Sequence, residues 1–145
     1  MSSTTGKHLG YISRSWTVIA NSIRYALDGA PYTIHFFFGK IDDTTINNSP
    51  LGAEYLPEHI GSIYNFSASM QFDKPTCANC ERQTEEGTLS TALVPLTVSL
   101  YRAALSQTFG VDVITPEEAE RFLTAALTWK VTNVSRTSTN QHAVQ

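Results

Sequence analysis

Residues 16–27, WTVIANSIRYAL, carry two overlapping periodicities. Trp16, Ile19, Ile23 and Leu27 fit one face of a helix. Ile19, Asn21, Ile23, Tyr25 and Leu27 also fit the alternation of a strand, with Ser22 and Arg24 facing out. The following residues favour the strand. Asp28-Gly29 is a turn signal, because glycine tolerates positive φ and aspartate bonds the local backbone. YTIHFFF at 32–38 is then aromatic, β-branched and strand-like. The pattern predicts a β-hairpin across Asp28-Gly29.

Residues 39–58 are dense in Gly, Asp, Asn and Pro and read as a long loop. HIGSIYNFSA at 59–68 alternates, with Ile60, Ser62, Tyr64 and Phe66 on one face of a predicted strand. Residues 69–90 read as a second long loop, and a loop of this length in a compact domain is functional or mobile. TALVPLTVSL at 91–100 reads as a strand that Pro95 confines to an edge or bulge, with helix following over 101–107. Thr115-Pro116-Glu117-Glu118 is a helix start, with a cap, a proline at the first position and carboxylates in the first turn. That helix extends to about Leu127. TWKVTNV at 128–134 closes the domain as a strand. The expected fold is mainly β with α+β decoration: a β-sandwich or barrel-like single domain with one or two short helices. Residues 1–13 form an arm or linker, 14–134 the domain and 135–145 a polar tail.

The 145 residues are 41% hydrophobic and 16% charged, a globular composition long enough for one core. A net charge of −3 gives no electrostatic footprint for nucleic acid. No apolar run reaches the length of a membrane span. MSSTTGKHLG lacks the apolar core of a signal peptide, so a cytoplasmic setting is expected.

Most catalytic chemistries find no motif. His8, His35, His59 and His142 are scattered, and no paired-histidine pattern occurs. His35 reads as a strand residue with an ordinary hydrogen bond. There is no GxSxG elbow, P-loop or GxGxxG, and Glu81, Glu85 and Glu86 read as a solvated loop surface. The remaining feature is CANC at 77–80, which holds both cysteines. A thioredoxin-like couple needs a helix N-terminus in a βαβ setting, and ERQTEEG shows no convincing helix. A structural zinc site needs four ligands. Two thiolates at this spacing can hold a two-coordinate soft ion such as Cu(I), and an opportunistic disulfide or plain free thiols stay open.

The order of several segments resembles the C-terminal domain of fungal tyrosinases (polyphenol oxidases). The segments are Ala26-Leu27-Asp28-Gly29 leading to YTIHFFFG at 32–39, HIGSIYNFSA at 59–68, CANC at 77–80, LVPLT at 93–97 and LTWKV at 127–131. The resemblance implies a domain that covers a dicopper active site, with an aromatic side chain as placeholder in the substrate pocket. It implies a CxxC, here Cys77 and Cys80, that helps load copper, and release of activity by proteolysis in the interdomain linker. It implies a parent that oxidises monophenols and o-diphenols to o-quinones, towards melanin. The chain has none of the histidine-rich copper segments of that family, so no catalytic residue is expected in it. Its expected partner is a tyrosinase catalytic domain, in cis or in trans, with no nucleic acid or membrane partner. Sharing a face with Tyr64 would place Phe66 in the core, but the GSIYNFS segment carries the resemblance, so Phe66 is the first placeholder candidate and Phe72 the second. Phe36, Phe37, Phe38 and Phe109 are expected to build the core. The rival readings are a small thiol–disulfide oxidoreductase, a free-standing copper chaperone and a plain interaction module.

Overall fold

The structure, a computed structural model, describes residues 15–66, 78–106 and 115–133. The expected arm 1–13, the tail 135–145, Phe72, Cys77 and Phe109 lie outside the described residues. The elements are β1 (Thr17–Ile23), β2 (Tyr32–Phe38), α1 (Asp43–Asn48), β3 (His59–Asn65), α2 (Ala78–Glu85), β4 (Leu89–Pro95), α3 (Thr97–Leu105), α4 (Pro116–Ala126) and β5 (Leu127–Asn133). Short 3₁₀ turns cover Leu27–Gly29 and Ala53–Tyr55. The strands form two antiparallel sheets, one of β1 and β4, the other ordered β3-β2-β5. The fold is therefore a small α+β domain of two packed sheets, and no barrel closes among the described residues.

β2 organises the domain because its residues are apolar on both faces. Tyr32, Ile34 and Phe36 point to one side and meet Val94, Leu96, Leu100 and Ala119 in the main core. Phe37 points to the other side, where Ile46 and Ala53 from the 39–58 segment cover it. Both edges of β2 are filled, by β3 and β5. This overturns the expected hairpin. The chain does turn at Leu27–Gly29, with Gly29 at φ 76°, but β2 has no free edge to offer, so β1 pairs with β4 instead.

The inward face of β1 is also the reverse of the one expected. Val18, Ala20 and Ser22 face the core, while Ile19, Asn21 and Ile23 face out. Small residues here face the large ones of β2 across an apolar groove between the sheets. The fit is tight where β3 meets β4: a Cβ on Gly61 would lie 2.6 Å from Val94 Cγ1.

Helices occupy more of the chain than the sequence pattern predicts. α1 lies in the first expected loop and α2 in the second. The strand expected over 91–100 stops at Pro95, which has no N–H to continue a ladder, and α3 takes over. α4 begins as predicted, with Thr115 Oγ1 accepting from the Glu118 amide and the Glu118 carboxylate accepting from the Thr115 amide. Phe122 on α4 meets Phe38 edge to face at 5.0 Å. None of the described helices is long and apolar enough to cross a membrane.

The Gly61–Val94 contact gives a direct test of sheet packing. Gly61→Ala is expected to cost about 1–3 kcal/mol in denaturant unfolding, and Val94→Ala in the same chain to recover part of that loss. A Gly61→Ala protein as stable as its parent would contradict the contact.

Candidate functional site

β3 ends in a pair of outward aromatic rings. Tyr64 is 56% exposed, and Phe66, just past the strand, is 79% exposed. Their centroids lie 6.1 Å apart with the rings tilted by 50°. Between them Asn65 points inward and is 8% exposed. It sits opposite Tyr32, and its side-chain amide donates to the Arg24 carbonyl at 2.8 Å. Strand alternation then requires Tyr64 and Phe66 to project the other way. Tyr64 and Phe66 share a face as expected, but it lies in solvent and not in the core, and Ile60, expected on the same face, packs against the main core instead because the register shifts opposite Phe36 and Phe37. The 39–58 segment covers this side of the sheet only around Phe37. Phe36 and Phe37 are buried and Phe38 is half-buried, as expected.

On that same side a histidine pair went unread in the sequence. His35 is 2% exposed, its Nε2 lies 3.0 Å from Thr132 Oγ1, and its Nδ1 lies 3.4 Å from His59 Nε2. His59 in turn packs edge-on to Phe37 at 5.4 Å. A register shift between Phe36 and Phe37 brings His59 into place, and no spacing rule anticipates that shift. Burial lowers the pKa of both rings below the usual 6.5, with Glu54 opposing the shift at each and His59 adding to it at His35. The fold therefore holds both imidazoles neutral. Among the described residues, no three His, Cys, Asp or Glu side chains gather to hold a metal ion.

The cysteine segment differs from its expected loop. α2 starts at Ala78, so Cys80 belongs to its first turn and Cys77 immediately precedes it in sequence. A pair of thiols is a fitting donor set for a two-coordinate soft cation. Among the described residues the βαβ setting of a thioredoxin-like couple does not occur, because β3 and β4, which flank α2, belong to different sheets and the described strand pairing is antiparallel.

An apolar groove of about 430 Å³ is lined by β1, by Tyr32, Ile34 and Phe36 of β2, and by Leu127, Trp129 and Val131 of β5. Among the described residues that line it, the one ionisable side chain is Tyr32, which donates its hydroxyl to the Ile23 carbonyl at 2.8 Å. This described lining can receive apolar groups and includes no carboxylate, imidazole, amine or thiol.

These features define a two-sheet α+β domain that presents aromatic side chains at the end of one strand. The chain belongs to the tyrosinase C-terminal domain family, which it matches over residues 15–145. It is 31% identical over 116 residues to a tyrosinase of Aspergillus fumigatus, a match covering 77% of this chain and 16% of that relative. The chain thus spans about a sixth of the length of this relative. No solved structure matches it.

The histidine pair predicts how stability responds to acid. Both folded-state pKa values lie below the unfolded value, so this stabilisation is complete above about pH 6.5 and is lost as pH falls towards the folded values. Chemical unfolding between pH 7.5 and 5 should show stability falling on the acid side, above the range where carboxylates titrate. His59→Gln should flatten that slope, and an unchanged slope would contradict the assignment.

Proposed function

We propose that this chain is the shielding domain of a fungal tyrosinase-type enzyme, and that Phe66 is its placeholder. The observation that carries the reading is the outward Phe66 ring, held by the buried Asn65 beside it. A phenyl ring imitates a phenol but lacks the oxygen that would react, so it can fill the substrate pocket without turning over. The parent would oxidise monophenols and o-diphenols to o-quinones, towards melanin. In this reading the chain supplies occlusion, and the catalytic domain supplies the copper chemistry.

The energetics require a tether. Burying one phenylalanine contributes roughly 1.5–3 kcal/mol, too little to hold two free molecules together. Phe66 has most of its surface still to bury. A linked partner acts at an effective concentration on the order of millimolar, so the weak contact suffices in cis. Cutting the linker removes that advantage and releases activity.

Cys77 and Cys80 would hand Cu(I), as cargo, to the catalytic domain. Two thiols spaced by two residues suit a two-coordinate soft cation, and a reducing cytoplasm would keep the pair available. Phe72 remains the second placeholder candidate.

In the latent full-length protein, Phe66→Ala is expected to raise activity without proteolysis, by about ten- to a hundredfold from the burial energy removed. No gain from Phe66→Ala rejects Phe66 as the placeholder, and no gain from Phe72→Ala as well rejects the shielding mechanism. Replacing Cys77 and Cys80 by Ser should slow copper uptake by the apo protein. Equal uptake curves would remove the copper-handling role and leave the shielding role untouched.

A further inference from the structure

The β1–β4 ribbon ends in a bare strand edge. Backbone hydrogen bonds join the Leu96 N–H to the Trp16 carbonyl at 2.8 Å and the Arg24 N–H to the Thr88 carbonyl at 3.3 Å. Both pairs continue the register of the ribbon. Hydrogen-bonded pairs alternate along an antiparallel ladder, so Val18, Ala20 and Ser22 also bond to β4. Thr17, Ile19 and Asn21 turn their N–H and C=O groups the other way, and so does the Ile23 N–H. Pro95, which has no N–H to donate, stands opposite Thr17, as this phase requires. The smaller sheet has two strands, so these outward groups meet no further strand among the described residues.

The edge also lacks the usual protections. TVIANSI at 17–23 carries no charge and no proline, and its register runs without a bulge. Six consecutive residues, 18–23, line the apolar groove. Neighbouring side chains of a strand point opposite ways, so a continuous run means that the groove follows the edge of β1. Across it stand β2 and β5, the latter through Leu127, Trp129 and Val131. Trp129 is 45% exposed. Unpaired backbone on one wall and partly bare apolar side chains on the other describe the seat of a strand.

We propose that residues 134–145 fill this seat as a third strand of the smaller sheet, antiparallel to β1. Connectivity supports this occupant. β5 ends at Asn133, opposite Tyr32, and the Tyr32 hydroxyl reaches the Ile23 carbonyl. The chain therefore leaves β5 at the Ile23 end of β1, and running back along β1 makes it antiparallel. Stacked sheets lie about 10 Å apart and a strand advances about 3.3 Å per residue. Crossing between sheets takes about three residues, and pairing along the seven residues of β1 takes about seven more. Residues 134–145 are long enough for both. TSTNQHAVQ at 137–145 contains no Asp, Glu, Lys or Arg, so it brings no charge into an uncharged groove. The family match includes this segment and begins only at residue 15, which favours it over residues 1–14. The groove is then the place of the domain's own last strand, and cleavage just after β5 would open it.

Residue-resolved NMR on the isotope-labelled 145-residue chain tests the proposal. The Ile19 and Asn21 amides are expected to exchange at least about a hundredfold more slowly than in an unstructured chain. They are also expected to show cross-strand NOEs to residues within 137–145. The Ala20 and Ser22 amides, bonded to β4, are the internal reference for a folded ladder. Exchange of Ile19 and Asn21 within about threefold of the unstructured rate, with Ala20 and Ser22 protected, overturns the proposal. NOEs from Ile19 and Asn21 to residues 1–14 overturn it as well. NOEs between labelled and unlabelled molecules in a mixed sample assign the edge to a second copy, with the same result.

Discussion

The candidate site depends on the hydrogen bond from the Asn65 side chain to the Arg24 carbonyl. It ties the end of β3, in one sheet, to the residue after β1, in the other. A buried amide that loses its partner costs about 1–3 kcal/mol, so the strand end is not free to rotate. Because alternate residues of a strand face opposite ways, an inward Asn65 fixes Tyr64 and Phe66 as outward. The Tyr32 hydroxyl, bonded to the Ile23 carbonyl, holds the same corner from β2. One polar corner in an apolar core thus determines where an aromatic ring leaves the domain.

The two faces of the β3-β2-β5 sheet divide the work. One face packs against the ribbon and the helices, and makes the main core. The other is sealed near Phe37 by the 39–58 segment, which Lys130 holds to β5 through a 2.8 Å ion pair with Asp43. Further along β3 nothing described covers Tyr64 and Phe66. A rigid platform with a bare aromatic edge suits a side chain that must enter a neighbour's pocket without rearranging its own support. The neutral histidine pair lies on the sealed side of the same sheet, so acid acts on the platform and not on the ring.

Local signals were legible in the sequence, and non-local ones were not. The start of α4 could be read because a capping box is written in four consecutive residues. β2 and β5 could be read from their β-branched and aromatic alternation. The hairpin failed because the turn residues say where the chain bends, but not that β2 would already have both edges filled. The inward face of β1 failed because Ile19 and Ile23 outrank Val18 and Ala20 in hydrophobicity, yet the strand turns the smaller residues inward and leaves an apolar groove between them and β2. α2 is polar along most of its length and gave no apolar stripe to find. The face of Phe66 followed from period two, but its exposure depended on how far the 39–58 segment reaches. The closeness of His35 and His59 depends on a register shift that no spacing rule contains.

The central claim is that the Phe66 ring lies in the substrate pocket of the catalytic partner. Site-specific photo-crosslinking tests it most directly, with p-benzoylphenylalanine at position 66 of the latent full-length protein and the adducts mapped by mass spectrometry. The account predicts crosslinks to residues that line the dicopper pocket, abolished when the linker is cut and the domain is released. Crosslinks only to the outer surface of the partner, or only within this domain, would contradict it.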